Sequence, residues 1–253
     1  MVMSLEFDFK NDINLWAIGD FHIGNLGFEE KKLRKVVDMI KKDGKAKVVI
    51  MGDLAEFINP RDARFDIECL DKNYDTVEKQ YVAIRDILKP IKDKIIGVLM
   101  GNHDYRIKKD MGVDFPRFLS TDFNTNYLGN VGILRLNVGK MKYVVLALHG
   151  GGLATTIGGQ INAIKKYSET LERKPDICLV GHYHRIDVII DPKLTDTFET
   201  IAKYLAITGS FFNTYKDWSD NYANRRFYPP LPVGCVMFEL KKDGTIQDHK
   251  IIL

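Results

Sequence analysis

The chain has little with which to cross-link or anchor itself. Its three cysteines, Cys69, Cys178 and Cys235, are far apart and form no CxxC pair. That excludes a disulfide framework and fits a reducing compartment. Cys178 and Cys235 stand in apolar runs and read as small core residues. No apolar run is long enough to span a bilayer. The opening residues, MVMSLEFDFKND, lack a basic stretch followed by an apolar one, so no secretory signal is expected. The expectation is a soluble, cytoplasmic protein with no membrane partner. An excess of one charge is also missing: 37 Lys and Arg face 34 Asp and Glu, for a formal net charge of +3. Such mild basicity does not by itself indicate a nucleic-acid binder. There are no repeats, low-complexity segments or linkers. The 253 residues, 45% hydrophobic, therefore read as one domain over 1–253 with a sizeable core.

Histidine is scarce as well, and its placement is uneven. Five of the six histidines fall in short motifs built from metal-ligand residue types. These are Asp20-Phe21-His22, Gly101-Asn102-His103-Asp104, His149 and Gly181-His182-Tyr183-His184, joined by Gly52-Asp53. Only His249 lies outside. A site that gathers neutral imidazoles and carboxylates at one point needs such a distribution.

Periodicity places these motifs on a scaffold. Leu15–Gly19, Lys47–Met51 and Ile95–Met100 are short apolar runs that end at the first three motifs. Between them, Leu33, Val36, Val37 and Ile40 predict a helix over roughly Glu29–Lys42. Val77, Tyr81, Ile84 and Leu88 predict another, stopped by Pro90. This βαβαβ order implies a parallel sheet, whose ligand site lies at the carboxyl ends of the strands. Further on, Gly132–Asn137 and Tyr143–His149 read as a hairpin turning at Val138-Gly139-Lys140. Thr155–Arg173 reads as a helix. Strands are expected at Ile177–Val180, Asp187–Ile190, Tyr204–Thr208, Gly234–Leu240 and Ile246–Ile252. Two mixed sheets facing each other with helices outside accommodate all of these, an α/β fold.

The chemistry of each motif follows from its residue types. Asp20 and His22, at i and i+2, point to one face if extended geometry continues past the strand. A strand-terminal Asp also often caps the next turn. Asp53 supplies a carboxylate able to bridge two ions, and Gly52 permits close backbone approach, although Gly-Asp is also a common turn pair. Asn102 offers a neutral carbonyl oxygen. His103 can donate a proton, with Asp104 orienting its ring; the alternative is a turn in which Asn102 and Asp104 cap a helix. His149 precedes Gly150-Gly151-Gly152, which leave room for an ion or substrate against bare backbone. His182 and His184 repeat the alternating spacing.

The ordered set DxH, GD, GNHD, H and GHxH, running from Asp20 to His184, resembles the calcineurin-like metallophosphoesterase superfamily. The resemblance implies a four-layer α/β/β/α sandwich with two divalent metal ions at its rim. Carried over motif by motif, Asp20, His22 and His184 would hold the first ion and Asp53 would bridge. Asn102, His149 and His182 would hold the second, and His103 would serve the leaving group. A hydroxide shared by the ions would attack in line at phosphorus. Mixed oxygen and nitrogen ligation suits Mn²⁺, Fe or Zn²⁺ better than Ca²⁺, and Mn²⁺ is the favoured expectation.

The second motif reads Gly52-Asp53-Leu54-Ala55-Glu56, without the arginine of the protein Ser/Thr phosphatases. That argues against a phosphoprotein substrate. It resembles the bacterial, archaeal and phage branch of DNA-repair exonucleases and small phosphodiesterases. The segment Ser210–Pro232 interleaves aromatics with Lys216, Arg225 and Arg226. That composition suits stacking on bases and pairing with phosphates, and equally a structural loop packed on the sandwich. Arg106 is a further candidate phosphate contact. The leading expectation is a phosphodiesterase acting on DNA or RNA. The alternatives are a phosphohydrolase for a nucleotide, nucleotide sugar or lipid precursor, and a catalytically silent binding module. Some relatives rely on a partner ATPase for DNA contacts; the sequence does not fix a partner or an oligomeric state.

Overall fold

Several strands are nearly continuous apolar runs whose successive side chains point to opposite faces, so both faces are buried and layers form on each side. The structure, a computed structural model, describes residues 2–57, 67–152, 154–172, 174–216, 222–225 and 227–253. The elements run β1 (Val2–Phe9), β2 (Ile13–Ile18), α1 (Glu30–Lys42), β3 (Ala46–Ile50), α2 (Val77–Leu88), β4 (Ile95–Leu99), α3 (Asn102–Met111), α4 (Phe115–Asp122) and β5 (Tyr127–Gly129). They continue with β6 (Val131–Val138), β7 (Met141–Leu148), α5 (Ile157–Ser168), β8 (Ile177–Val180), β9 (Ile186–Leu194), β10 (Thr200–Thr208), α6 (Tyr222–Arg225), β11 (Gly234–Leu240) and β12 (Ile246–Ile252).

The strands hydrogen-bond in the order β12-β11-β2-β3-β4-β5-β1-β6-β7-β8-β10-β9. A single residue pair, Val2 with Gly129, links β5 to β1. The ladder turns there into two mixed sheets, β12 to β5 and β1 to β9. Their facing sides share one core. Leu15, Ala17, Val49 and Phe238 of the first sheet meet Leu134, Leu136, Val145, Leu179 and Ala206 of the second. The outer face of the first sheet, with Trp16, Ile18, Val48 and Ile50, packs under the helices. Leu33, Val36, Val37 and Ile40, the predicted stripe of α1, are all buried there. Each contributes about 1.5–3 kcal/mol of hydrophobic stabilisation. The outer face of the second sheet, with Leu146, Cys178, Val180 and Ile207, receives Ile164 of α5. The result is the expected α/β/β/α sandwich.

Several elements depart from the sequence reading, which did not anticipate α4, β5 or α6. Strand β1 was not predicted, yet Met3, Leu5, Phe7 and Phe9 alternate onto the inter-sheet core. Helix α3 follows β4 with no loop, because Gly101 already serves as its N-cap. Helix α5 ends at Ser168, five residues before the predicted limit, where the Ser168 hydroxyl donates to the Lys165 carbonyl at 2.8 Å. All three cysteines are buried and unbridged, and burial pushes the Cys178 thiol up to about 12. Among the described residues, no helix is long and apolar enough to cross a membrane.

The turn between α1 and β3 is tied to the sheet by Asp43. Its Oδ2 accepts from Asn14 Nδ2 and Trp16 Nε1, each at 2.9 Å, and its Oδ1 accepts from the Lys45 amide at 2.9 Å. Partial burial opposes ionisation, but the Trp16, Asn14 and Lys45 donors hold the carboxyl below its usual 3.8. A depressed folded pKa gives stability that is complete above about pH 4 and lost as pH falls through the folded value. Asp43→Asn should therefore cost about 1 kcal/mol at pH 7 and flatten the stability profile below pH 4. Urea unfolding at pH 7 and pH 3 checks this. Equal acid sensitivity of the two proteins would contradict it.

Candidate metal centre

Five strand ends deliver the motif residues to one rim. Strands β2, β3 and β4 run parallel and lead into Asp20, Asp53 and Asn102. Strands β7 and β8, also parallel, lead into His149 and the 181–184 segment. The chain does not stay extended there. Asp20, His22, Asp53, His182 and His184 all have left-handed backbones, with φ of +49°, +52°, +48°, +67° and +55°. The i, i+2 argument from an extended strand is thus corrected. The spacing works because successive left-handed residues swing the chain across the rim. Such conformations cost about 1–3 kcal/mol each and persist only where the surroundings over-determine them. Here the Asp20 amide donates to the Gly52 carbonyl at 2.9 Å, Phe21 to the Asp53 carbonyl at 2.9 Å, and Phe211 to the Asp20 carbonyl at 3.0 Å. Two glycines are obligatory at this rim. A Cβ on Gly52, whose φ is +88°, would lie 2.5 Å from the Gly101 amide, and one on Gly101 would lie 2.1 Å from Asp53 Oδ1.

The side chains converge in three overlapping groups. Asp20, His22 and His184 present ligand atoms within 4.8 Å of one another, as do Asp53, His149 and His182, and the group of His22, Asp53 and His103 links the two. His22 Nε2 faces His184 Nε2 at 3.0 Å and lies 3.9 Å from Asp53 Oδ2. His184 Nε2 lies 3.3 Å from Asp20 Oδ1. Asn102 Oδ1 faces His149 Nε2 at 3.1 Å and His182 Nδ1 at 2.8 Å, and His149 Nε2 is 3.2 Å from Asp53 Oδ2.

The tautomers implied by the outward contacts show what this cluster accepts. His22 Nδ1 faces the Glu56 carboxylate at 3.1 Å, His149 Nδ1 the Met51 carbonyl at 2.9 Å, and His182 Nε2 the Gly152 carbonyl at 3.1 Å. Each outward nitrogen is a donor, so each inward nitrogen of a neutral ring carries a lone pair. Lone pairs of His149 and His182 then face the oxygens of Asp53 and Asn102 with no proton between them. That arrangement repels itself unless a cation sits at its centre. The donor set, mixed nitrogen and oxygen, fits borderline divalent ions, and candidate ligands for them are present.

Electrostatics agree. Burial opposes ionisation of Asp20 and Asp53, but the adjacent His149, with His184 at Asp20 and His103 at Asp53, holds both carboxyls below their ordinary range, Asp53 well below. Burial lowers His149, but the charges of Asp53 and Asp20 overcome it and push the imidazole up to about 10. Burial depresses His22 and, with the His149 charge, His182; both stay neutral, as ligation requires.

Asp104 departs from its expected role. Rather than orienting His103, its carboxylate accepts from the amides of Gly101 and Asp53 at 2.8 Å each and of Leu54 at 3.2 Å. This is the helix-capping alternative, extended into a clamp on the Asp53 loop. Burial and the Asp53 charge push Asp104 up to about 7. His103 is instead fixed through Nδ1, which faces the Glu56 carbonyl at 2.9 Å, while its amide donates to Asp53 Oδ1 at 2.8 Å. Sequence reasoning assigned Glu56 no role. It is 2% exposed and holds His22 by Oε2, with Oε1 lying 3.6 Å from His103 Nδ1. Its position three residues after Asp53, in the loop that follows β3, was the available signal.

Of the candidate substrate contacts, two fall on described residues and one does not. Arg225 pairs with Glu68 at 3.2 Å. Arg106 is half-buried on α3. Arg226 and residues 217–221 lie outside the described residues. Within Ser210–Pro232, Phe211 is buried against Phe21, and Phe212 backs the rings of His22 and His184 at 5.5 and 5.7 Å. The start of this segment thus packs as a structural wall of the cluster, whereas Phe227 is exposed. His249 lies on β12, 2.9 Å from Glu239, away from the other five histidines.

Metal counting tests this arrangement. The protein should take up two Mn²⁺ per chain by elemental analysis after gel filtration. His184→Ala should keep one, and Gly101→Ala, which displaces the shared Asp53, should keep none while costing about 1–3 kcal/mol of stability. Two ions retained by Gly101→Ala would contradict the shared role.

Comparison with known proteins accords with this geometry. No curated protein matches the sequence. Among solved structures, a single mutant of Vps29 from Entamoeba histolytica is 16% identical, with a TM-score of 0.44, covering 95% of this chain and 99% of that one. Vps29 from Chaetomium thermophilum is 13% identical, with a TM-score of 0.45 and coverage of 94% and 97%. A conserved uncharacterized protein of Streptococcus pneumoniae, described as a predicted phosphoesterase, is 14% identical, with a TM-score of 0.37 and coverage of 95% and 98%. At these values they add nothing to the reading of the site. The family profile of the calcineurin-like phosphoesterases matches residues 13–187, a span that holds every residue of the cluster, and the chain belongs to that family.

Proposed function

We propose that the protein is a dimetal phosphodiesterase acting on nucleic acid. The observation that carries the hydrolase reading is the pair of ligand groups joined by Asp53, with ring lone pairs aimed inward. Two bound divalent ions supply Lewis acidity toward the phosphate and a nucleophile from water at neutral pH. Mn²⁺ is the favoured metal, with Fe or Zn²⁺ as alternatives.

The chain's own residues do the rest. Asp20, His22, Asp53, Asn102, His149, His182 and His184 hold the charge that positions a phosphate. Asp104 keeps Asp53 in register through the backbone. Glu56 fixes His22 by its carboxylate and His103 by its carbonyl. His103 thereby turns Nε2 away from Glu56, and protonated there it donates to the leaving oxygen. The absence of an arginine in the Gly52–Glu56 motif supports a diester over a phosphoprotein substrate.

A Mn²⁺-dependent screen that pairs single- and double-stranded DNA and RNA with nucleotides and nucleotide sugars tests the substrate class. Cleavage of a polynucleotide and of bis-p-nitrophenyl phosphate is expected, and Asp53→Asn should abolish both. Release of phosphate from small metabolites alone would replace the nuclease reading. His103→Ala should lower kcat about 10²–10⁴-fold on a polynucleotide and less on p-nitrophenyl esters, whose leaving group needs no proton. An equal loss on both substrates would refute its role as acid.

A further inference from the structure

A second concavity lies at the pole opposite the candidate metal centre. The strands that end at the centre begin at this pole, roughly 20 Å away for a six-residue strand. The groove measures about 460 Å³ and is lined by the β1–β2 turn, the segment from Gly44 to Lys47, and Lys242 of the β11–β12 turn. Four of its lining residues, Lys10, Lys45, Lys47 and Lys242, are cationic. The two acids in it, Asp8 and Asp12, are already engaged. Asp8 accepts from Asn137 Nδ2 at 2.8 Å. Asp12 accepts from the Lys242 amide at 3.0 Å and meets Lys45 Nζ at 3.9 Å. Lys47 Nζ lies over the Phe9 ring, 5.4 Å from its centroid. Among the described residues, Lys10 and Lys242 form no ion pair.

The groove is built rather than frayed. The Asn14 amide donates to the Lys45 carbonyl at 3.0 Å, and the Gly139 amide to the Phe9 carbonyl at 2.8 Å. Asp43 fixes the Lys45 amide, and Lys242 packs its stem where Gly139 lacks a Cβ. Three turns from separate parts of the chain are thus cross-linked so that four ammonium groups share one concavity. Four lysines against two carboxylates leave an excess of positive charge in the groove, which an entering anion offsets. All four are lysines, compact point charges of the kind that contact phosphate oxygens. A half-buried ring, Phe9, lies beside them.

We infer that this groove binds the phosphate backbone of a nucleic-acid strand, as a remote anchor for the substrate of the metal centre. The inference rests on the nucleic-acid reading above for its purpose, but not for its test. A fluorescent 30-nucleotide oligo-dT is titrated with the whole protein without added divalent ion, so that no cleavage occurs, and anisotropy is read from 50 to 300 mM salt. Log affinity should fall with log salt by about 0.7 per lysine engaged. Lys10→Glu/Lys242→Glu should weaken binding at least tenfold and leave Mn²⁺-dependent hydrolysis of bis-p-nitrophenyl phosphate unchanged. Lys10→Gln/Lys242→Gln, which removes charge without adding opposite charge, should show a smaller loss in the same direction. Unaltered oligonucleotide binding by both variants would overturn the inference. So would competition by poly-glutamate as effective as that by unlabelled oligo-dT, which would make the groove a site for acidic peptides. Lysine-dependent binding without any polynucleotide cleavage would sink the proposed activity and leave the groove standing. Cleavage with lysine-independent binding would do the reverse.

Discussion

The site depends on one problem, the burial of like-featured donors around Asp53. Its carboxylate is 1% exposed and lies 3.2 Å from His149 Nε2 and 3.9 Å from His22 Nε2. A carboxylate taken out of water is costly unless opposite charge compensates it. The surrounding rings present lone pairs rather than protons, because Glu56, Met51 and Gly152 take their N–H groups from outside. Only a cation satisfies all of them together.

That demand explains the backbone around it. Asp53 is held by its neighbours' amides, and Asp104 in turn holds the Asp53 and Leu54 amides. Five of the residues at the rim are left-handed, a cost the sandwich underneath supports. The inter-sheet core fixes β2, β3, β7 and β8 as a rigid platform. The abutting Gly52 and Gly101 let two strand-end loops approach more closely than any side chain would allow. Packing stability is thereby converted into ligand geometry, as in other preorganised sites.

Much of this was legible in the chain. Strands β8, β11 and β12 lie where their apolar runs predict, and the buried stripe of α1 is the four residues named from periodicity. The converging residues were found because acids and imidazoles recur at strand ends. Strand β1 was missed although its alternation is plain, since its residues were weighed only as a leader. Glu56 escaped because its role depends on a ring 34 positions earlier. Asp104 was assigned to the adjacent imidazole, but helix α3 turns its carboxylate back toward the amides of another loop.

The sequence by itself determined the residue types, their order, and the alternation that fixes which face of each strand is buried. These are local properties, since side-chain period and ligand chemistry do not depend on distant contacts. Tertiary structure alone decided which nitrogen of each ring faces the centre, that the Asp104 carboxylate clamps backbone, and that Arg225 meets Glu68. It also gathered Lys10, Lys45, Lys47 and Lys242, from three separate turns, into one groove. Such outcomes depend on how closely segments far apart in sequence approach. Only the packing of two sheets against each other sets those distances.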